Sequence, residues 1–527
     1  MKLSLETLKN GELSSLGYIL PQFDIEKMRE KTMANPTWIH FGAGNILRAF
    51  TCVLSQKLLD ENKTDTGMIV VETYDEEIID KAFTPYDDLC VAVSLKGNGT
   101  VEKRIVASVA KALGYRNAQS QVESFFVKES LQMVSFTITE KGYAVLDAQG
   151  QPLSYCKNDF ESAENPVSIV GIITRLMLKR YLANAKPLAL VSMDNCAHNG
   201  TILQNAVFAI AKAWLNAGIV DAGFINYLEN QVSFTWSMID KITPRPAQQV
   251  LDMVASDGLE GMETTVTSKN TYVSALVNAE ECEYLAIEDN FPNGRPPLEE
   301  VGVIFGTRET VDRIEKMKVC TCLNPLHTAL AIFGCLLGHT TISAEMSDEV
   351  LVEMVKKLGY VEGMPVVVDP GVMNAKTFID EVITLRLPNP FLPDTPQRIA
   401  CDTSKKLSVR FGETIKAYQA KGVNDLSDMS ILPLVYAGYA RYLTGVDDAG
   451  NSFEPSPDPS LATLKKHVEG FELGKEFDTK KLQPLFSDEN LCGVNLYSCG
   501  LGEKAEKLFT SMNAGVGAVY QTIKSCI

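Results

Sequence analysis

Four short apolar runs recur in the first two hundred residues, each closed by small or polar residues. They are Thr37 to Phe41 before Gly42-Ala43-Gly44, Met68 to Val71 before Glu72, and the runs inside "LQMVSFTITEKGY" and "KPLALVSMDNCAHNG". Unbroken apolar stretches of this length predict strands buried on both faces. After the first run, Ile46, Phe50 and Leu54 keep helical spacing, so the chain reads strand, tight turn, helix. From "IEDNFPNGRPPLEE" onward helical periodicity takes over, in "MSDEVLVEMVKKLGY", "KTFIDEVITLRL" and "LGEKAEKLFTSMNAGVGAVYQTIKS". Pro292, Gly294, Pro296 and Pro297 punctuate the change. The pattern predicts an α/β domain with a mostly parallel sheet over residues 1–299, followed by a predominantly α-helical domain over residues 300–527.

The glycine turn gives the first domain a chemistry. Glycines between a strand and a helix let the backbone approach a pyrophosphate, whose charge the helix N-terminus attracts. Gly42 and Gly44 are the candidates, with Asn45 and Arg48 beside them; Leu47 stands where a third glycine would complete the Rossmann fingerprint. Support comes from Glu72, which ends the next run at about the distance where such folds place an acid on the adenosine ribose. An acid there also repels a 2′-phosphate, which favours NAD(H) over NADP(H); Asp75 competes for the role. Ligands of open parallel sheets bind at the carboxyl ends of strands, which brings in Thr139 and Asn195. Asn195 fits a turn closing its strand equally well.

Composition narrows the partners. At 527 residues, with 45% hydrophobic and 22% charged, the chain has the make-up of a globular protein of more than one domain. A formal charge of −17 disfavours nucleic acid and anionic membranes, so a small anionic substrate needs a local cationic pocket. No signal peptide opens the chain and no apolar stretch suggests a membrane span, so a cytoplasmic location is expected. Twelve scattered cysteines fit reduced thiols. Cys320 and Cys322 lie near His327 but without paired metal-ligand spacings, so no metal site is expected.

The stretch "KVCTCLNPLHTALAIFGCLLG", Lys318 to Gly338, gathers an amine, an amide and an imidazole. Asn324 before Pro325 predicts an N-cap followed by proline in the first turn of a helix that runs to Gly338. Capping does not explain the company of His327, Lys318 and Glu315. Interconverting a secondary alcohol and a ketone needs a proton acceptor and donors for the oxygen as it gains charge. A lysine serves as base only where burial or a neighbouring cation lowers its pKa from about 10.4.

With these residues the chain resembles the polyol-specific long-chain dehydrogenases, the group of mannitol 2-dehydrogenase, fructuronate reductase and tagaturonate reductase. The resemblance runs through "HFGAGNILRAF", "TITEKGY", "SMDNCAHNG", "WSMIDKITPRP", "IEDNFPNGRP", "EKMKVCTCLNPLH", "RIACDTSKK" and "YLTGVDDAGNSFEPSPDP". It implies a metal-independent, NAD-dependent reaction with Lys318 as general acid and base. Asn195 and Asn324 would stabilise the oxygen, His327 would orient the reacting centre, and Glu315 would link the lysine with solvent. Asp240, Arg398 and Lys406 match substrate-pocket positions. Five residues separate Lys318 from Asn324, where relatives usually have four. Either the segment bulges by one residue or the base is lost; the offset of Glu315 favours a bulge. Thr403 replaces a glycine common in relatives. The expected substrate is a small sugar acid or polyol, with D-mannonate and D-fructuronate ahead of mannitol and fructose or of tagaturonate; a non-catalytic NAD(H)-binding protein is the alternative from another class. Oligomeric state has no signature in the sequence.

Overall fold

The computed structural model describes residues 1–527, which form two compact units: Met1–Lys96 with Thr100–Asp312, and Gly97–Gly99 with Arg313–Ile527. The division falls inside the helix Arg308–Met317. The prolines near residue 300 do not form a linker. They shape the short turn Leu298–Val301, which feeds the strand Ile304–Gly306 into a parallel pairing with Tyr284–Glu288 in the first unit.

The first unit is built on six parallel strands: β1 (Trp38–Phe41), β2 (Met68–Glu72), β3 (Val109–Gly114), β4 (Met133–Phe136), β5 (Leu188–Ser192) and β6 (Val232–Thr235). Their order in the sheet is β3-β2-β1-β4-β5-β6, the doubly wound arrangement of dinucleotide-binding domains. Alternation along each strand explains the unbroken apolar runs. Ile39, Phe41, Val134 and Phe136 pack into one buried cluster, and Trp38, Val70, Met133 and Val191 into another on the opposite face. Because β1 and β4 are neighbours whose connections leave in opposite directions, their carboxyl ends open the crevice where such sheets bind ligands.

The second unit is helical. The helical stretch Arg308–Leu337, bent at Leu323, is long and apolar enough by composition to cross a membrane; most of its apolar window is buried as a core helix would be. Its last segment, Asn324–Leu337, is buried along nearly every face and ends at Gly338, whose φ of 75° suits a residue without Cβ. It packs against Ile431–Leu443, whose N-terminus is satisfied by the buried Glu362 carboxylate, which accepts from the N–H groups of Ser430, Ile431 and Leu432. The C-terminal amphipathic stretch is two helices, Gly502–Met512 and Ala518–Cys526. The periodicity carries through the break, but Gly515 and Gly517 adopt φ of 150° and 81°, outside the helical region.

Candidate functional site

In the first unit, a cavity of about 900 Å³ opens at the carboxyl ends of β1, β2, β4 and β5, lined among others by Gly42, Gly44, Glu72, Thr139, Asp194 and Asn195. Two glycines make it in different ways. Gly42 has φ of 104°, and a Cβ there would stand 2.3 Å from the Thr137 carbonyl oxygen, so the turn crosses hard against β4's end. Gly44 has nothing within 4 Å of its Cβ position, so its backbone lies bare to the cavity. That cradle fits a dinucleotide pyrophosphate.

Glu72 lines the cavity, but its carboxylate is also a local brace. One oxygen accepts from the Ala43 N–H of the glycine turn at 2.8 Å, and the other accepts from the N–H groups of Thr73, Tyr74 and Asp75 at 2.8 to 3.2 Å. It therefore ties the end of β2 to the turn after β1. Asp75 is buried and accepts from the Thr267 hydroxyl at 2.6 Å, which occupies the competing acid.

Arg48 and Asn45 stand apart from the cavity. The Arg48 side chain is 1% exposed, donating to the Ser274 carbonyl and to Asn45 Oδ1, with its guanidinium over the Phe83 ring. The reason is local: the helix starts as a wide π-turn, Leu47–Thr51, and Arg48 points into the protein. Leu47 is fully buried in that same turn, at the position a third glycine would take.

Asn195 is exposed to the cavity, on a loop that a neighbouring residue fixes. The buried Asn199 amide donates to the carbonyls of Ser192, Asp194 and Ser237, and its oxygen accepts from Gly200 and Ser237. Asp194, also buried, is held by the Tyr143 hydroxyl. Burial pushes its carboxyl up to about 7, against the hydrogen bonds from Tyr143 and the Ile138 N–H. Between about pH 4 and 7 the folded chain thus holds a proton that the unfolded chain has released. Stability on this account is full below the unfolded value and falls as pH rises through the folded one. Asp194→Asn is expected to remove that fall, on the order of a few kcal/mol, as read by urea unfolding at pH 5 and 8. Equal pH dependence in both proteins would contradict it.

In the second unit, the five residues between Lys318 and Asn324 are accommodated by a π-turn, Lys318–Cys322, in which the Leu323 N–H bonds to the Lys318 carbonyl at 3.1 Å. A π-turn takes up one extra residue without ending the helix. A helical segment does start here, with proline in its first turn as expected, but the cap position is Leu323, whose φ of −128° bends the chain, and Asn324 is the first helical residue; no side chain caps the segment. Pro325, which lacks an N–H, is tolerated because the widened turn has already displaced the regular bonding. Lys318 is 5% exposed, and Glu315 lies three residues before it on the same helix. Cys322 is buried against Met364 and the Ala375 carbonyl, and burial pushes its thiol up to about 12, as befits a packed side chain.

His327 lies one turn beyond Asn324, its Nε2 3.4 Å from Asp394 Oδ2. Burial outweighs the Asp394 carboxylate, with Arg386 and Arg410 adding to it, and holds the imidazole below its ordinary value, so at neutral pH it is an uncharged hydrogen-bonding group. Burial raises the Asp394 carboxyl, but His327 and Arg398 together outweigh it and leave it below the usual range. Arg398, expected in the substrate pocket, has its guanidinium on Asp394 and acts on His327 through it. Lys406 donates to the carbonyls of Ile399 and Cys401, and burial, with Arg410 nearby, pushes its amine down to about 8. Thr403 is buried, its hydroxyl bonded to the Ala400 carbonyl. Asp240 is buried on the strand Ser237–Asp240 of the first unit.

Sequence reasoning missed Asp394, Arg410, Asp194 and Asn199. Asp394 precedes Arg398 by four residues, just ahead of the short helix Pro396–Ile399, and Arg410 follows Lys406 by four, the only local hints of these pairings.

A parallel sheet in this order, with a glycine cradle and an acid at the end of the second strand, defines a Rossmann-type dinucleotide-dependent oxidoreductase. Residues 36–300 match the pattern described as the mannitol dehydrogenase Rossmann domain, and residues 310–481 the mannitol dehydrogenase C-terminal domain. The chain belongs to the mannitol dehydrogenase family, whose members act on CH–OH groups. It is 46% identical to a D-mannonate oxidoreductase of Thermotoga maritima, over 100% of this chain and 99% of that one. It is 28% identical to a D-mannonate oxidoreductase of Escherichia coli, over 82% and 87%. Among solved structures, a substrate-free D-sorbitol dehydrogenase superposes with a TM-score of 0.81 at 25% identity, over 98% of this chain and 100% of that one. A Pseudomonas fluorescens mannitol 2-dehydrogenase, in a ternary complex with NAD and D-mannitol, has the same fold, with a TM-score of 0.71 at 23% identity over 100% and 99%.

Proposed function

We propose that the chain interconverts D-mannonate and D-fructuronate with NAD(H), without a metal. The observation that carries this reading is the full-length 46% identity to a D-mannonate oxidoreductase. Gly42, Gly44, Glu72 and Thr139 hold the dinucleotide, with the Gly44 backbone facing its pyrophosphate. When bound, the nicotinamide supplies or accepts the hydride.

The chain's own residues handle the proton and the oxygen. Lys318 gives its proton to the ketone oxygen in reduction and takes it back in oxidation. Asn195 and Asn324 donate amide N–H groups to that oxygen, strengthening as negative charge develops. Asn195 does so from a loop clamped by Asn199. His327, kept neutral and held by Asp394, orients the substrate hydroxyl. Glu315 exchanges the proton of Lys318 with solvent. Asp240 meets the sugar hydroxyls, Lys406 lies toward the substrate's carboxylate, and Arg398 serves through Asp394. The π-turn supports catalysis over a non-catalytic reading, because it keeps Lys318 and Asn324 on one helix despite the extra residue.

The test is oxidation of NADH by the purified protein with D-fructuronate, D-tagaturonate and D-fructose, each repeated with NADPH. The expected result is a clear preference for D-fructuronate with NADH. Turnover of D-fructose alone would make the chain a polyol dehydrogenase, and silence on all three would leave a cofactor-binding protein.

A further inference from the structure

The second unit carries a cation that the proposed proton chemistry does not use. Arg410 sits half-buried in the π-turn Ser408–Gly412, with Nη1 donating to the Thr328 hydroxyl and, at 3.3 Å, to the Asn324 carbonyl. Both acceptors are neutral. No carboxylate pairs with it, since the nearby Asp394 is engaged by Arg398 and His327. Its Nε and Nη2 donors make no bond within the protein, yet they are not sealed in the core, so they face open space.

Lys406, one helical turn earlier, repeats the pattern. Its amine bonds two backbone carbonyls, while Asp402 and Asp458 act on it only from farther off. Burial lowers Arg410 to about 10, and Lys406, lowered chiefly by burial, also stands in the field of Arg410. Leaving a buried guanidinium without a counter-charge is costly. In a chain of net charge −17, two adjacent cations beside His327 and Asn324 are a local reversal of the prevailing field.

We infer that Arg410, seconded by Lys406, is the seat of the substrate's carboxylate, and that it sets the preference for a sugar acid over a neutral polyol. The inference rests on the sugar-acid reading above and names the residue that enforces it. A guanidinium presents a planar pair of N–H donors that matches a carboxylate, and Nε with Nη2 form the open edge of that fork. The bonds to Thr328 and Asn324 fix the opposite edge. Since the Asn324 carbonyl is one of those anchors, the carboxylate seat is held in register with the residue that meets the ketone oxygen.

The test compares kcat/KM for D-fructuronate and D-fructose in the full-length protein with NADH, in the native protein, Arg410→Gln, Arg410→Lys and Thr328→Val. Loss of a charge-assisted pair is expected to lower kcat/KM for D-fructuronate on the order of 100-fold in Arg410→Gln, mostly through KM, with D-fructose changed only a few-fold. Arg410→Lys, which keeps charge without the fork, is expected to fall between. Calorimetric binding of D-mannonate against D-mannitol, in a Lys318→Ala background, is expected to show the same selective loss without turnover. Thr328→Val, which frees the anchored edge, is expected to show a weaker form of the same selective loss; equal losses on both substrates in Arg410→Gln would mean that Arg410 only braces the helix and would overturn the proposal alone. A native protein indifferent to the carboxylate would overturn the sugar-acid reading, and this proposal with it.

Discussion

Replacing Lys318 with alanine is expected to lower kcat by roughly 100- to 10,000-fold, the range that a positioned general acid or base contributes, while leaving NADH affinity intact. The two effects separate because the lysine belongs to the second unit, whereas every residue lining the dinucleotide cavity belongs to the first. Lys318 is 5% exposed at the start of the π-turn, so alanine keeps a helix-favouring residue there while removing the amine and its apolar stem. Steady-state kinetics with D-fructuronate and a fluorescence titration with NADH measure the two halves. Near-normal turnover would take Lys318 out of the mechanism, and lost NADH binding would mean that the substitution disturbs more than proton transfer.

The second large effect concerns the glycine turn and distinguishes a residue the fold needs from one the ligand needs. Gly42→Ala is expected to destabilise the first unit by roughly 2 kcal/mol or more, from a strained positive φ and a clash with the Thr137 carbonyl. The Cβ would lie 2.3 Å from that oxygen, and the Thr137 backbone, tied to β1 by its N–H bond to the Phe41 carbonyl at 3.0 Å, resists stepping aside. Gly44→Ala meets nothing within 4 Å and has no positive φ, so it is expected to fold normally. Its added methyl group instead occupies the space where the pyrophosphate would approach, and NADH affinity is expected to fall on the order of tenfold or more, as for loss of a charge-assisted contact. Thermal unfolding and NADH titration of both variants check this; equal stability, or intact NADH binding in Gly44→Ala, would contradict the division of roles.

The parts of this structure legible in the sequence are those governed by short-range periodicity. The four apolar runs that close on Gly42, Glu72, Thr137 and Met193 are all sheet strands, because burial on both faces favours nearly unbroken apolar runs. Gly42 and Gly44 announce their turn through backbone requirements that few other residues meet. What escaped was decided by geometry over longer distances. Asn324-Pro325 does start a helical segment, but only one bent residue, Leu323, separates it from the π-turn that ends the helix before, and only the count from Lys318 hinted at that turn. Arg48 looks like a phosphate ligand one turn past the glycines, and the same kind of wide turn sends it into the core. Arg398 and Arg410 are indistinguishable as cations along the chain. Asp394 engages one and leaves the other without a carboxylate, and only the folded unit shows which.

The central claim is a metal-independent reduction of a sugar acid with a lysine as the acid. The most direct measurement is the yield of D-mannonate from D-fructuronate per NADH consumed, with and without prior treatment by a strong chelator. The account predicts one D-mannonate per NADH at a rate that chelation does not change. Absence of D-mannonate, or activity lost to the chelator and restored by a divalent metal ion, would contradict it.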